Sequence, residues 1–365
     1  MKLATRMAQP EQRRGERRRW LFAPLAIPLL CLLLLVVIVL AVSFGSTAIP
    51  LGTIVQILLN GTGLFHFARQ WDPSAELIVW QVRMPTVVGS ALVGAGLAVA
   101  GVIFQGMLRN PLADPFLIGT SSGAALGAVI AFILPFDTIY GSLFSLTPVL
   151  AFAGAITTVF FVYAVARTDG HTPVVTLLLA GVVVNAVVVA LQTLILTISP
   201  HAQFGLQGLF NWLSGGIAVT SWPPILIVGV VIVSGIICSF SFSSVLDALT
   251  LGEEGAAHLG LHVERSKLML IAIASVITAS AVSISGLIGF VGLVTPHVIR
   301  LLLGPGHRLL LPTSALGGAI FLVLADLLGR VVIAPAVLPV GIFTALVGAP
   351  FFLFLLRNSK REYRW

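Results

Sequence analysis

From about Leu21 to Phe44 this chain carries no charged residue at all. A helix rises about 1.5 Å per residue, so roughly 20 such residues reach across the ~30 Å hydrocarbon core of a bilayer. Further apolar stretches occupy about 84–107, 115–134, 143–166, 173–199, 223–240, 268–285, 287–302, 312–333 and 340–356. The seventh and eighth are separated only by Ser285-Gly286. Ten continuous runs of this kind exclude a transmembrane β-barrel, whose strands alternate apolar and polar over about ten residues. They also exclude a soluble or disordered chain. The sequence is 58% apolar and 9% charged, with mean hydropathy +1.08, whereas soluble domains carry about 25% charged residues and disorder requires low hydrophobicity. The expected fold class is an all-α integral membrane protein of about ten transmembrane helices.

The first run is longer than the 7–15-residue core of a signal peptide. It reads as a retained span preceded by a basic tail, residues 1–20, with Lys2, Arg6, Arg13, Arg14, Arg17, Arg18 and Arg19. The apolar membrane domain then covers 21–357, and a second basic tail covers 358–365. Residues 45–82 read as an external loop. Counted over an N-in, ten-span topology, sixteen of the twenty Lys and Arg residues fall on the cytoplasmic side. Arg69, Arg83 and Arg330 fall outside, and Arg300 lies near a span end. This bias predicts cytoplasmic N- and C-termini in a multi-pass plasma-membrane protein. The net charge of +7 then describes orientation and attraction to anionic lipid, not a nucleic-acid partner. Cys31 and Cys238 lie in apolar runs and read as lipid-compatible residues, not a disulfide.

Small residues recur at one-turn spacing: Ser90, Gly94 and Ala98 in the second run, and Gly119, Gly123 and Gly127 in the third. In lipid such rows let backbones approach. Beside them Thr120, Ser121 and Ser122, with Asn185 in the fifth run, are candidate pathway-lining groups, with helix packing as the competing role. Pro296 and Pro350 lie inside runs and predict kinks or breaks.

The sequence holds no phosphate-binding GxxxxGK[ST] loop, no HExxH and no CxxC, so neither ATP nor a metal has an evident site in this chain. His258 and His262, with Glu254, read as a solvated surface. Asp326 and Arg330 stand i, i+4 in the ninth run, a spacing that permits an ion pair. A lone intramembrane carboxylate is thin equipment for an ion-coupled secondary carrier, the alternative of another class. The largest internal hydrophilic segment is about 241–267. Its Glu/Ala-rich stretch between Gly252 and Gly260 predicts one or two short helices with glycine stops, a knob suited to a soluble partner.

Several separate stretches, in order, resemble the FecCD family of ABC-importer permeases. They include Val82-Arg83-Met84-Pro85, Gln105-Gly106-Met107, Arg109-Asn110-Pro111-Leu112-Ala113-Asp114-Pro115, Gly252-Glu253-Glu254, Gly289 through His297, and Leu338-Pro339-Val340-Gly341. The resemblance spans about residues 45–357. It implies the cobalamin-importer-permease-like, type II ABC importer fold, a homodimer with its pathway on the dimer axis, and transport of a ferric siderophore, haem or cobalamin. It also implies that no cofactor is bound directly, because ATP is used by a separate cytoplasmic ATPase dimer. That ATPase would dock on Gly252, Glu253, Glu254, Ala256, Ala257, Leu259 and Gly260. An external substrate-binding lipoprotein would dock at Arg83 and Arg330. The chain departs from the pattern in having Thr86 where relatives often carry a second arginine, and Val337 where they often carry a glutamate.

Overall fold

The computed structural model describes residues 10–359 apart from 46–48, 62, 64, 66, 135–144, 200–201 and 218–220. Lys2 and Arg6 of the first tail, and Lys360, Arg361 and Arg364 of the second, lie outside the described residues. The described chain is helical: α1 (Pro10–Ser43), α2 (Leu51–Gly61), α3 (Pro73–Met107), α4 (Thr120–Ile133), α5 (Leu146–Ala166), α6 (Val174–Ile198), α7 (Ala202–Leu213), α8 (Trp222–Ser241), α9 (Ser243–Leu249), α10 (Glu253–His258), α11 (Val263–Ser285), α12 (Val291–Leu303), α13 (His307–Val331) and α14 (Val340–Ser359).

Every apolar run read from the sequence carries a helix. Seven are long and apolar enough to cross a bilayer: α3, α5, α6, α8, α11, α13 and the Leu25–Ser43 part of α1. The runs at 115–134 and 287–302 form the shorter apolar helices α4 and α12, and the run at 340–356 forms α14. Local chemistry explains both shortenings. Before α4, Asp114 Oδ1 accepts the Phe116 N–H at 2.8 Å and caps a 3₁₀ turn, Pro115–Ile118, which ends at Gly119 with φ +86°. Only a residue without Cβ adopts that conformation cheaply. Before α12, residues 286–290 are non-helical and Phe290 has φ +69°. Irregular backbone at membrane depth survives only where protein or a water-filled cavity surrounds it. Here Gly216 N–H donates to the Ser285 carbonyl at 2.8 Å, and Gly341 N–H to the Gly215 carbonyl at 3.3 Å.

Two boundaries differ from the sequence reading. Residues 45–82 are not all loop, because α2 and the start of α3 fall within them. In α2 the spacing of Ile54 and Ile57 puts both on one buried face, while Leu51 and Val55 stay exposed. At α3, Asp72 accepts the Ser74 N–H at 2.9 Å with Pro73 at the first helical position. α3 then runs on through a π-helical turn, Ile78–Arg83. Likewise α11 begins at Val263, five residues before the apolar run, which narrows the 241–267 segment.

α3 is the central helix, buried along most of its length, with α11 and α13 against it; α1, α6 and α8 leave most of their surface open. The small-residue rows meet other helices of the same chain. A Cβ on Gly94 would collide with the Gly318 carbonyl of α13, and one on Gly318 would collide with the Gly94 carbonyl. Gly123 and Gly154 exclude a side chain from each other in the same reciprocal way, joining α4 to α5, with Gly127 against the Leu150 carbonyl. Without a hydrophobic drive between helices in lipid, this backbone-to-backbone contact is what holds them.

Candidate functional site

The segment between α8 and α11 folds into the predicted knob. α9 buries Leu246 and Leu249. α10 is bounded by Gly252 at φ +102° and Gly260 at φ +83°, so both expected glycine stops sit in the left-handed region that glycine tolerates. Ala256 is fully buried, and its carbonyl accepts the Leu261 N–H at 3.2 Å, closing the turn. What projects outward is Glu253, Glu254, Ala257, Gly260 and two leucines, Leu251 at 67% and Leu259 at 64% exposed. Exposed leucines on a span face lipid; on a polar knob outside the spans they mark a contact surface. His258 and His262 are exposed too, and no group of three metal-ligating side chains forms among the described residues.

The knob is anchored at three points. Asp247 Oδ1 on α9 accepts the backbone N–H of His307 at 3.0 Å, at the start of α13, and lies 2.6 Å from its Nδ1. Arg109, itself at φ +52°, lies against Gly252, where a Cβ would come within 3.3 Å of its Nη1. Glu253 stays half-exposed while its Oε1 lies 3.0 Å from Lys267 Nζ, so it both ties the knob to α11 and remains on its surface beside Glu254.

Above the knob a second cluster joins α3 to α12. Pro296 has no N–H, so the Gly292 carbonyl one turn earlier loses its helical donor. Gln105 of α3 supplies one: its Nε2 donates to the Gly292 carbonyl at 3.2 Å and to the Leu293 carbonyl at 3.3 Å. Arg300 Nη1 donates to Gln105 Oε1 at 2.9 Å. Arginine can only donate, which fixes the amide so that Nε2 faces α12. α12 therefore continues through the proline, and the expected break is repaired by a side chain from another helix. α14 likewise contains Pro350 without ending there.

At the opposite end, Arg83 is 5% exposed, and its Nη1 donates to the carbonyls of Val42 and Ser43 at 2.7 and 3.0 Å, closing the C-terminus of α1. Arg330 Nη2 lies 2.8 Å from Asp326 Oδ2, the i, i+4 ion pair anticipated from spacing. Both candidate rim residues are thus largely enclosed, the Arg330 side chain at 13% exposure. Of the candidate lining groups, Thr120 and Ser122 are buried and donate to the carbonyls of Pro115 and Gly119. Ser121 is half-buried, and Asn185 lies on the open face of α6 among Val182, Val183 and Val187.

Sequence reasoning missed Lys267, Gln105 and the Asp247–His307 pair as organising residues. Lys267 counted there only as a cytoplasmic charge, and Gln105 only as part of a quoted stretch. Both signals were present as polar groups at the rim of apolar runs, but their partners lie far away in sequence.

A helix bundle of this kind, with a polar helical knob between two spans and arginines at the other end, defines a multi-pass membrane permease. Residues 33–358 match the FecCD transport family. The chain is 45% identical over 287 residues to the cobalamin import system permease protein BtuC of Halobacterium salinarum, covering 79% of this chain and 75% of that one. It is 38% identical over 308 residues to the hemin transport system permease protein HmuU of Yersinia pestis, covering 81% and 89%. To the Fe(3+)-citrate import system permease protein YfmE of Bacillus subtilis it is 36% identical over 341 residues, covering 93% and 96%. Its fold matches an inward-facing structure of a metal-chelate type ABC transporter with TM-score 0.78 and 31% identity, over 92% of this chain and 99% of the other. The chain belongs to the FecCD transport family and is a permease subunit of the ABC-importer class.

Proposed function

We propose that two copies of this permease form the pathway of an ATP-driven importer for a bulky metal chelate, a ferric siderophore first. In this reading both termini are cytoplasmic, an ATPase dimer docks on the 241–267 knob, and an external binding lipoprotein delivers the chelate at the Arg83/Arg330 rim. ATP is hydrolysed by the partner, and the basic N-terminal tail lies near anionic lipid. The observation that carries the reading is the knob: a glycine-bounded helix, pinned from three sides, that presents Leu251, Ala257, Leu259 and Glu254 outward. Haem or cobalamin is the second reading, favoured by the 45% identity to a cobalamin permease. In this reading Asn185, on the open face of α6, and the half-buried Ser121 are the polar groups turned toward the second copy, a setting that serves any of these chelates.

Two experiments test this. Replacing Glu253 and Glu254 together with deletion of 256–259 abolishes co-purification of the ATPase subunit, and retained co-purification refutes the dock. Reconstituted vesicles are then given radiolabelled ferric siderophore, haem and cobalamin in parallel. Uptake that survives ATP depletion and collapses with the ion gradient would return the chain to the secondary-carrier class.

A further inference from the structure

Lys267 stands on the first turns of α11, and its side chain is 4% exposed. Its ammonium has three donors and three acceptors, each from a different segment. Glu253 Oε1 of α10 lies at 3.0 Å, Glu264 Oε1 of α11 at 2.8 Å, and the Thr172 carbonyl, in the loop joining α5 to α6, at 2.8 Å. The other oxygen of Glu264 accepts the Thr172 N–H at 3.0 Å, so that loop is gripped by both its donor and its acceptor. His171 lies at the margin, its Nδ1 3.9 Å from Glu264 Oε1. For stability alone a buried ammonium is a poor choice. The cost of desolvating it is several kcal/mol, and an apolar side chain of like volume often serves as well. The same segments also meet in one buried apolar cluster that includes Ala166, Leu177, Ala256 and Leu270, and what the polar cluster adds to that packing is directional, fixed geometry among the three segments.

We infer that Lys267 is a positioning residue for energy coupling. It makes the knob and the α5–α6 loop one mechanical unit, so a displacement of α10 reaches the adjoining end of α6, the helix that carries Asn185. This rests on the reading of the knob as the ATPase dock.

The test uses the full permease–ATPase complex in proteoliposomes, with Cys31 and Cys238 replaced by serine and a reporter thiol introduced by Asn185→Cys. The readouts are ATP hydrolysis and the ATP-dependent change in labelling of that thiol by a membrane-impermeant maleimide. In Lys267→Met, hydrolysis stays within twofold, whereas the ATP-dependent labelling change falls at least tenfold. Lys267→Arg regains most of it. A labelling change that persists in Lys267→Met overturns the inference, as does a proportional fall of hydrolysis and labelling. Should Lys267→Met fail to assemble because Glu253 and Glu264 are left facing each other, Lys267→Met with Glu264→Gln removes one charge of each sign and is judged on the same readouts. Failure of both variants to assemble makes Lys267 a folding residue and overturns the inference too. If the parent chain itself captures no ATPase, the dock reading fails instead, and this proposal fails with it.

Discussion

The bond between Gln105 and a proline-freed carbonyl can be isolated by a double-mutant cycle. Gln105→Leu leaves the Gly292 carbonyl of α12 without its side-chain donor and removes the Oε1 that accepts from Arg300. A buried acceptor left unpartnered costs about 1–3 kcal/mol. Interhelical bonds in membranes average nearer 0.6 and reach about 1.7 kcal/mol. Gln105 makes two such bonds to carbonyls and receives one from a guanidinium, so the expected loss is about 2 kcal/mol. Pro296→Ala restores an N–H one turn after Gly292, and the helix can then satisfy its own carbonyl. In that background Gln105→Leu forfeits chiefly the contact with Arg300, and its cost drops to about 1 kcal/mol. The cycle is measured by equilibrium unfolding in mixed micelles or bicelles, with Gln105→Glu as a check on the amide donor. A coupling of about 1 kcal/mol is expected. Additivity within about 0.5 kcal/mol, the behaviour of independent sites, would refute the assignment of Gln105 to the proline gap.

Other perturbations test separate parts of the molecule. Gly94→Ala drives a methyl into the Gly318 carbonyl and destabilises by about 1–3 kcal/mol or more. Gly52→Ala, where nothing lies within 4 Å, is neutral or mildly stabilising in the same unfolding assay. Burial pushes the Asp114 carboxyl, outside the spans, from 3.8 up to about 6, against the Phe116 N–H bond that draws it down. The folded state then binds the extra proton, so stability falls as pH rises from about 4 to about 6 and levels off above. Asp114→Asn removes that component from the pH profile of the unfolding midpoint, and an unchanged slope would exclude Asp114 as its source. Charge reversal at Arg83 and Arg330 weakens binding-protein affinity and flattens its salt dependence in titrations at several ionic strengths. Equal affinity at all of them removes the rim from the docking surface.

The membrane architecture was legible because its signal is long and local. The helices in the ten apolar runs follow from run length alone, and the knob helix from Gly252 and Gly260 on either side of seven residues. α2 was less legible because its buried pair, Ile54 and Ile57, sits in a segment interrupted by polar residues, so its apolar stripe is one-sided and short. The anchoring residues were illegible for another reason. Lys267 finds an acceptor at Thr172, 95 positions away, and Gln105 finds Gly292, 187 positions away. A polar residue at the edge of an apolar run looks the same whether it meets water or a carbonyl of a distant helix. Arg83 is a related case: its charge was visible, but its placement on the last carbonyls of α1 depends on a fold-level neighbour. Thr120 and Ser122 stood out as hydroxyls, yet their acceptors are carbonyls of the preceding 3₁₀ turn, three to five residues away.

The reciprocal glycine contacts have a mechanical consequence. Where main chain touches main chain, as at Gly94 with Gly318 and Gly123 with Gly154, no side chains intervene to change rotamer and absorb sliding. Such a joint has one good register. α3 with α13, and α4 with α5, then behave as paired beams, and any rearrangement during a transport cycle is channelled into the places between beams. Those are the capped turn at 114–119 and the unwound stretch at 286–290. A molecule built this way bends at its seams and keeps its ribs.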